Sequence, residues 1–238
     1  MTVFLRLVLA HFLAEFVFLR DFVSSMKSQK KVLGYALHGI VYMLCIILTC
    51  GGYLNLPWIV IGNCVFNGWH LLLPVTVVHL LADILNRADV CRGGNYNTVY
   101  FLLWQMIDIL IFFLIFPVIP AQELSQYGLY ADKFFAIAAG AIFVAYFTML
   151  LLFYIEKDLQ CAGGLPSSDE NFAGILFRTS LFFLLLIPSY WGYVLGFLWI
   201  GLVLFTKTLK VIDVSYLRFT AGAVCSVFAA FTVKFFIL

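Results

Sequence analysis

The chain has 238 residues, of which 64% are hydrophobic and only 11% charged, and its formal net charge is +2. An ordinary globular domain carries roughly 45–50% apolar and 25% charged residues, so composition excludes a water-soluble fold. No stretch is basic enough for nucleic acid, and the glycine and lysine spacing of a phosphate-cradling loop is missing.

A bilayer-spanning helix needs about 20 apolar residues. A backbone in lipid must also satisfy its own hydrogen bonds, which leaves helices or a closed barrel. Strand-type alternation is absent, so the sequence reads as all-α, a polytopic transmembrane helical bundle of seven or eight spans. Eight are placed, at 3–19, 34–51, 57–87, 98–119, 134–155, 172–188, 190–206 and 214–236. They form one integral membrane domain over 1–238, with polar residues concentrated in 1–120 and a C-terminal set of helices in 134–238. The first run holds Arg6, His11 and Glu15 and lacks a basic leader, so no removable secretory signal is expected. The third is too long for one straight helix and is expected to tilt, or to break near Asn67–Gly68 and Pro74.

Basic residues set the orientation. With both termini outside, the inner loops hold Arg20, Lys27, Lys30, Lys31, Arg87, Arg92, Lys157, Lys207 and Lys210. Little beyond Lys133 and Lys234 remains on the outer side, as the positive-inside rule requires. The segment 20–31 reads as an interfacial turn, and 92–97 and 161–171 as polar loops. The six cysteines (Cys45, Cys50, Cys64, Cys91, Cys161 and Cys225) form no CxxC pair and read as small packing residues.

The residues that carry information are those that do not belong in hydrocarbon. A charge at the centre of a span costs about 2.5–3.5 kcal/mol on insertion scales, so several in one small chain are expected to face each other. The first span holds His11 and Glu15, the second His38, the third His79 and Asp83, and the fourth Gln105 and Asp108. His11/Glu15 and His79/Asp83 are both i,i+4 pairs, each on one helix face. They sit in similar strings, HFLAEFVFLR and HLLADILNR, on helices of the same direction. The first four helices thus read as a parallel repeat of two hairpins. At 1.5 Å rise per residue, Glu15, His38 and Asp83 lie roughly 6–8 Å from the cytoplasmic ends of their helices, and His11, His79 and Gln105 roughly 11–14 Å. Four helices bring polar groups to one layer.

Imidazoles and carboxylates in that number suit a divalent metal (Zn²⁺, Fe or Mn²⁺), with His11, Glu15, His38, His79 and Asp83 as candidate ligands; the repeat would suit even two ions. In a catalytic reading Glu15 or Asp108 is the base for a metal-activated water, and the substrate is lipid-borne or hydrophobic. Two other readings stand beside it: a hydrogen-bonded network in a non-catalytic accessory subunit of a larger membrane complex, and the proton path of a small ion-coupled transporter. Arg178 and Arg218 enter later spans; they suit an anionic headgroup or a pairing with Glu15 or Asp108, and snorkelling to the interface is the simpler expectation. His70, beside Trp69, reads as an interfacial or packing residue, and the 26 phenylalanines as lipid-facing.

The strings His11-Phe-Leu-Ala-Glu15, His38, His79-Leu-Leu-Ala-Asp83 and Trp104-Gln105-Met-Ile-Asp108, followed by Phe177-Arg178-Thr179 and Thr206-Lys207-Thr208, carry a resemblance. The chain resembles a bacterial membrane family catalogued as domain of unknown function 3307. That family's pattern opens with HxxxD, then a histidine, then HxxxD and a DQ-containing fourth helix. The first aspartate is Glu15 here, the aspartate before Gln105 is Trp104, and a histidine expected near the fourth helix is Asp108. The resemblance spans nearly the whole chain. It implies a multi-pass protein of the bacterial inner membrane, in contact with the bilayer and with other subunits where it belongs to a complex. It supplies no reaction.

Overall fold

A computed structural model describes residues 2–18, 31–91, 97–115, 130–159, 168–209 and 215–237. Arg20, Lys27, Lys30, Arg92, Cys161 and Lys210 lie outside them, as do most of the loops 20–31, 92–97 and 161–171. The elements in chain order are α1 (Thr2–Phe12, continued by a π-helical turn over Leu13–Val17), α2 (Lys31–Cys50), a hairpin of β1 (Pro57–Ile61) and β2 (Cys64–Asn67), α3 (Gly68–Cys91) and α4 (Asn97–Ile115). After them come α5 (Tyr130–Ile142, a π turn over Phe143–Phe147, then Thr148–Asp158), α6 (Ser168–Leu186), α7 (Tyr190–Thr208) and α8 (Tyr216–Ile237).

The eight helices fall near the eight expected spans. Six are long and apolar enough to cross a membrane; α1 and the apolar part of α6, Phe172–Leu186, are shorter. Their outer surfaces carry what a soluble protein buries. Leu48 is 79% exposed, Phe197 76% and Phe235 84%, and contiguous apolar surface of this kind fits contact with lipid. Six such helices fit a membrane protein.

The third span breaks at Asn67–Gly68, and its first part is a hairpin rather than a helix. Ile61 pairs with Cys64 across a two-residue loop, and Gly62 at φ 60 supplies the positive φ which that turn demands. The helix then starts from Asn67, whose side-chain oxygen accepts from the His70 N–H at 3.2 Å, while His70 Nδ1 accepts from the Asn67 N–H at 3.3 Å. His70 is therefore an exposed helix-start residue. Cys64 lies exposed on the hairpin, whereas Cys45 and Cys50 are buried free thiols in α2.

The chain divides into two compact units, Met1–Phe135 and Ala136–Leu238. In the first, α1 packs on α2, α2 on α3, α3 on α4, and α4 returns to α1. This ring sets α1 across from α3, joined through α2 and α4. Its apolar core includes Leu7, Ala10, Ile46, Leu54 and Phe112. Arg6 is buried there too, donating to the Thr49 carbonyl at 3.0 Å and stacking 3.8 Å from the Phe135 ring centroid. In the second unit α6 is central and packs against α5, α7 and α8.

Candidate metal centre

Each of the first four helices places a polar side chain on the inside of its ring. In α1 the π turn over Leu13–Val17 contains Glu15. A π turn inserts a residue into the helical ladder and re-aims what it carries, and such turns concentrate at functional sites. His11, one turn earlier in regular helix, has Gln105 of α4 as its partner: its Nε2 donates to Oε1 at 3.0 Å. Glu15 instead reaches α2 and α3. Its Oε1 lies 2.9 Å from His38 Nε2 and 3.0 Å from His79 Nε2, and the two Nε2 atoms are 3.1 Å apart.

The second nitrogen of His79 is also engaged, with Nδ1 standing 3.2 Å from Asp108 Oδ1 of α4. Asp83 stands at the edge, its Oδ2 3.9 Å from His38 Nε2. The rings of His11 and His79 meet edge to face at 5.3 Å. His11, Glu15, His38, His79, Asp83, Gln105 and Asp108 thus share one location in the first unit. Arg178 belongs to the second unit.

Burial is uneven. His11, His38, His79 and Asp108 are buried, whereas the side chains of Glu15 and Asp83 are each 20% exposed. The open side therefore lies between Glu15 and Asp83, bordered in sequence by exposed Val17, Phe18, Ile84 and Leu85. The closed side is sealed by Phe112 and by Tyr42, which lies flat on His79 with ring centroids 4.0 Å apart and 9° between planes. Tyr42 is not among the residues that the sequence marks. It lies one helical turn from His38, on the same face, but a tyrosine in an apolar run carries no charge to mark it. Its hydroxyl, His11 Nδ1 and His38 Nδ1 are buried without a hydrogen-bond partner among the described residues.

Two groups of side chains offer metal-ligand atoms within 4.8 Å of one another: Glu15, His38 and His79, and His11, His79 and Asp108. Donor type fits a divalent ion in both, with nitrogen and carboxylate oxygen and no thiolate. Helices apolar enough to cross a membrane, closed around histidines and carboxylates that could hold a metal, define the class of protein. The family described as "Protein of unknown function (DUF3307)" matches residues 3–135, more than half of the chain, and the chain belongs to it. The matched stretch ends where the first compact unit ends and contains every side chain of the centre. No curated protein and no solved structure matches the chain.

Proposed function

We propose that the chain is a metal-dependent enzyme of the bacterial inner membrane, acting on a lipid-type or otherwise hydrophobic substrate. His38, His79 and Glu15 would hold its divalent ion. The observation that carries this reading is the near-equilateral triangle of His38 Nε2, His79 Nε2 and Glu15 Oε1, with edges of 2.9, 3.1 and 3.0 Å. Metal–ligand bonds of about 2.1 Å separate their ligand atoms by about 3.0 Å at right angles and by about 3.4 Å at tetrahedral angles. The spacing suits two histidines and one carboxylate on one face of an octahedral ion, so Fe or Mn²⁺ fits better than tetrahedral Zn²⁺.

His79 supports the reading from its other side. A ligating imidazole ordinarily donates its remaining N–H to a carboxylate, and Asp108 stands where that acceptor belongs. Asp108 is then a positioning residue and Glu15 a ligand. Asp83, at the open edge, is the carboxylate placed to take a proton. A bound ion would supply a Lewis acid and an activated water. The apolar residues bordering the opening favour a substrate arriving from lipid.

A second reading is favoured by proton counting. If His79 is an imidazolium, its Nε2–H donates to Glu15 Oε1 and its Nδ1–H to Asp108 Oδ1, so both carboxylates are paired without an ion, and the centre becomes the polar clasp of a non-catalytic accessory subunit. Metal analysis of protein purified in mild detergent separates the two. About one equivalent of Fe, Mn or Zn per chain is expected in the wild type and none in His79→Ala. Wild-type protein that stays metal-free after incubation with each ion would leave the clasp.

A further inference from the structure

We propose that the cleft between α6, α7 and α8 of the second unit binds an anionic phospholipid of the surrounding bilayer. The cleft, of about 160 Å³, has apolar walls that include Leu176, Trp199, Leu202 and Val203, and Arg178, Lys207 and Arg218 also line it. Trp199 is fixed in the wall by its Nε1–H, which donates to the Phe177 carbonyl at 3.3 Å.

Arg178 gives the cleft its chemistry. It is only 4% exposed, so it does not snorkel to the interface as the sequence suggests. The reason lies in α5. A π turn shifts the helical hydrogen-bond ladder by one residue and frees carbonyl groups. Those of Val144 and Ala145, both in the Phe143–Phe147 turn, accept from Arg178 Nε at 3.0 Å and Nη2 at 3.1 Å. Room for the side chain comes from two glycines: a Cβ on Gly174 would stand 3.0 Å from Nη1, and one on Gly222 2.9 Å from Cδ.

What Arg178 lacks is an anion. It has no carboxylate partner, and its Nη1 makes no hydrogen bond, among the described residues. The nearby carboxylate Glu156 is taken: Arg218 binds it through both Nε and Nη2, and the Ser215 hydroxyl donates to it at 3.3 Å. A buried charge without a counter-charge is costly, and this one faces a cleft. Lys207, at the end of α7, is engaged over the Tyr216 ring, 3.4 Å from its centroid. An apolar cleft with one buried guanidinium at its edge fits a molecule that is anionic at one end and hydrocarbon at the other. The adjoining surface of α7, with Phe197, Leu198 and Phe205 exposed, is already suited to acyl chains. The phosphate is expected against Arg178, and an acyl chain along Trp199 and Leu202. Basic pockets between membrane helices recognise anionic headgroups by this combination.

The test is native mass spectrometry of the full chain after exchange into mixed dioleoylphosphatidylglycerol and dioleoylphosphatidylcholine. Wild-type protein is expected to retain the phosphatidylglycerol roughly fivefold over the phosphatidylcholine, the worth of one interfacial cation. Arg178→Gln should abolish the preference. Leu202→Trp fills the cleft, leaves the arginine in place and should lose the bound lipid, so it decides the matter if Arg178→Gln fails to fold. Equal retention of the two lipids by the wild type, or unchanged retention of phosphatidylglycerol by Leu202→Trp, overturns the assignment. The metal content read on His79→Ala is independent of both outcomes.

Discussion

Tyr42 and Asp108 flank His79 in opposite senses, one closing its face and the other holding its edge. The Tyr42 hydroxyl is buried with no partner among the described residues, and such a group costs about 1–3 kcal/mol. Tyr42→Phe keeps the stacked ring and removes that cost. It is expected to raise the melting temperature in detergent and to leave metal content unchanged; a lowered melting temperature would mean the hydroxyl meets a bound ligand. Asp108→Asn keeps the shape but weakens the acceptor for His79 Nδ1–H. Chelator competition should then show metal affinity reduced by about 10–100-fold with the chain still folded. The histidines and carboxylates were legible in the sequence because each is expensive in an apolar run. Which pairs they form was not. The i,i+4 spacing implies that His11 and Glu15 act together, yet the π turn sends His11 to Gln105 and Glu15 to His38 and His79.

At the level of elements, the hairpin and the two π turns separate what a pattern can say from what packing decides. PWIVI and CVFN have the composition of the helices around them, so the third apolar run looked continuous. Asn67–Gly68 marked the break, through a capping side chain followed by a residue without one, whereas Pro74, the other expected position, lies inside the helix. Asn67→Ala should cost about 1 kcal/mol by loss of the bond to the His70 N–H, read as a shifted thermal unfolding curve in detergent. The π turns leave no trace in hydrophobic periodicity, because one inserted residue alters the phase of a helix and not its composition. The depth of Arg178 was hidden for the same reason: its acceptors are carbonyls freed by the turn in α5, and no residue type announces them.

For the whole molecule, charge placement and structure speak to different questions. The distribution of Lys and Arg predicts that both termini face away from the cytoplasm. Side-specific labelling of cysteines introduced singly into 20–31 and 161–171 should find both segments on the cytoplasmic side, and a finding on opposite faces would end that topology. The structure contributes the division at Phe135/Ala136, with the family match ending at the same place. The histidine centre occupies the first unit and the arginine cleft the second. Composition indicated helices and lipid contact for both units alike; only the concentration of polar residues in 1–120 set the first four helices apart from those of 134–238.

Cys64 makes the protein a reporter of its own orientation. It is a free thiol exposed on the hairpin between α2 and α3, while Cys45 and Cys50 are shielded in α2. Where both termini lie outside, that hairpin lies outside too. A membrane-impermeant maleimide applied from outside should therefore tag the unmodified chain at Cys64, because the same topology puts Cys91 and Cys161 on the cytoplasmic side, and Cys64→Ser should erase the tag. The native sequence carries a built-in handle for following insertion and purification without any engineered label.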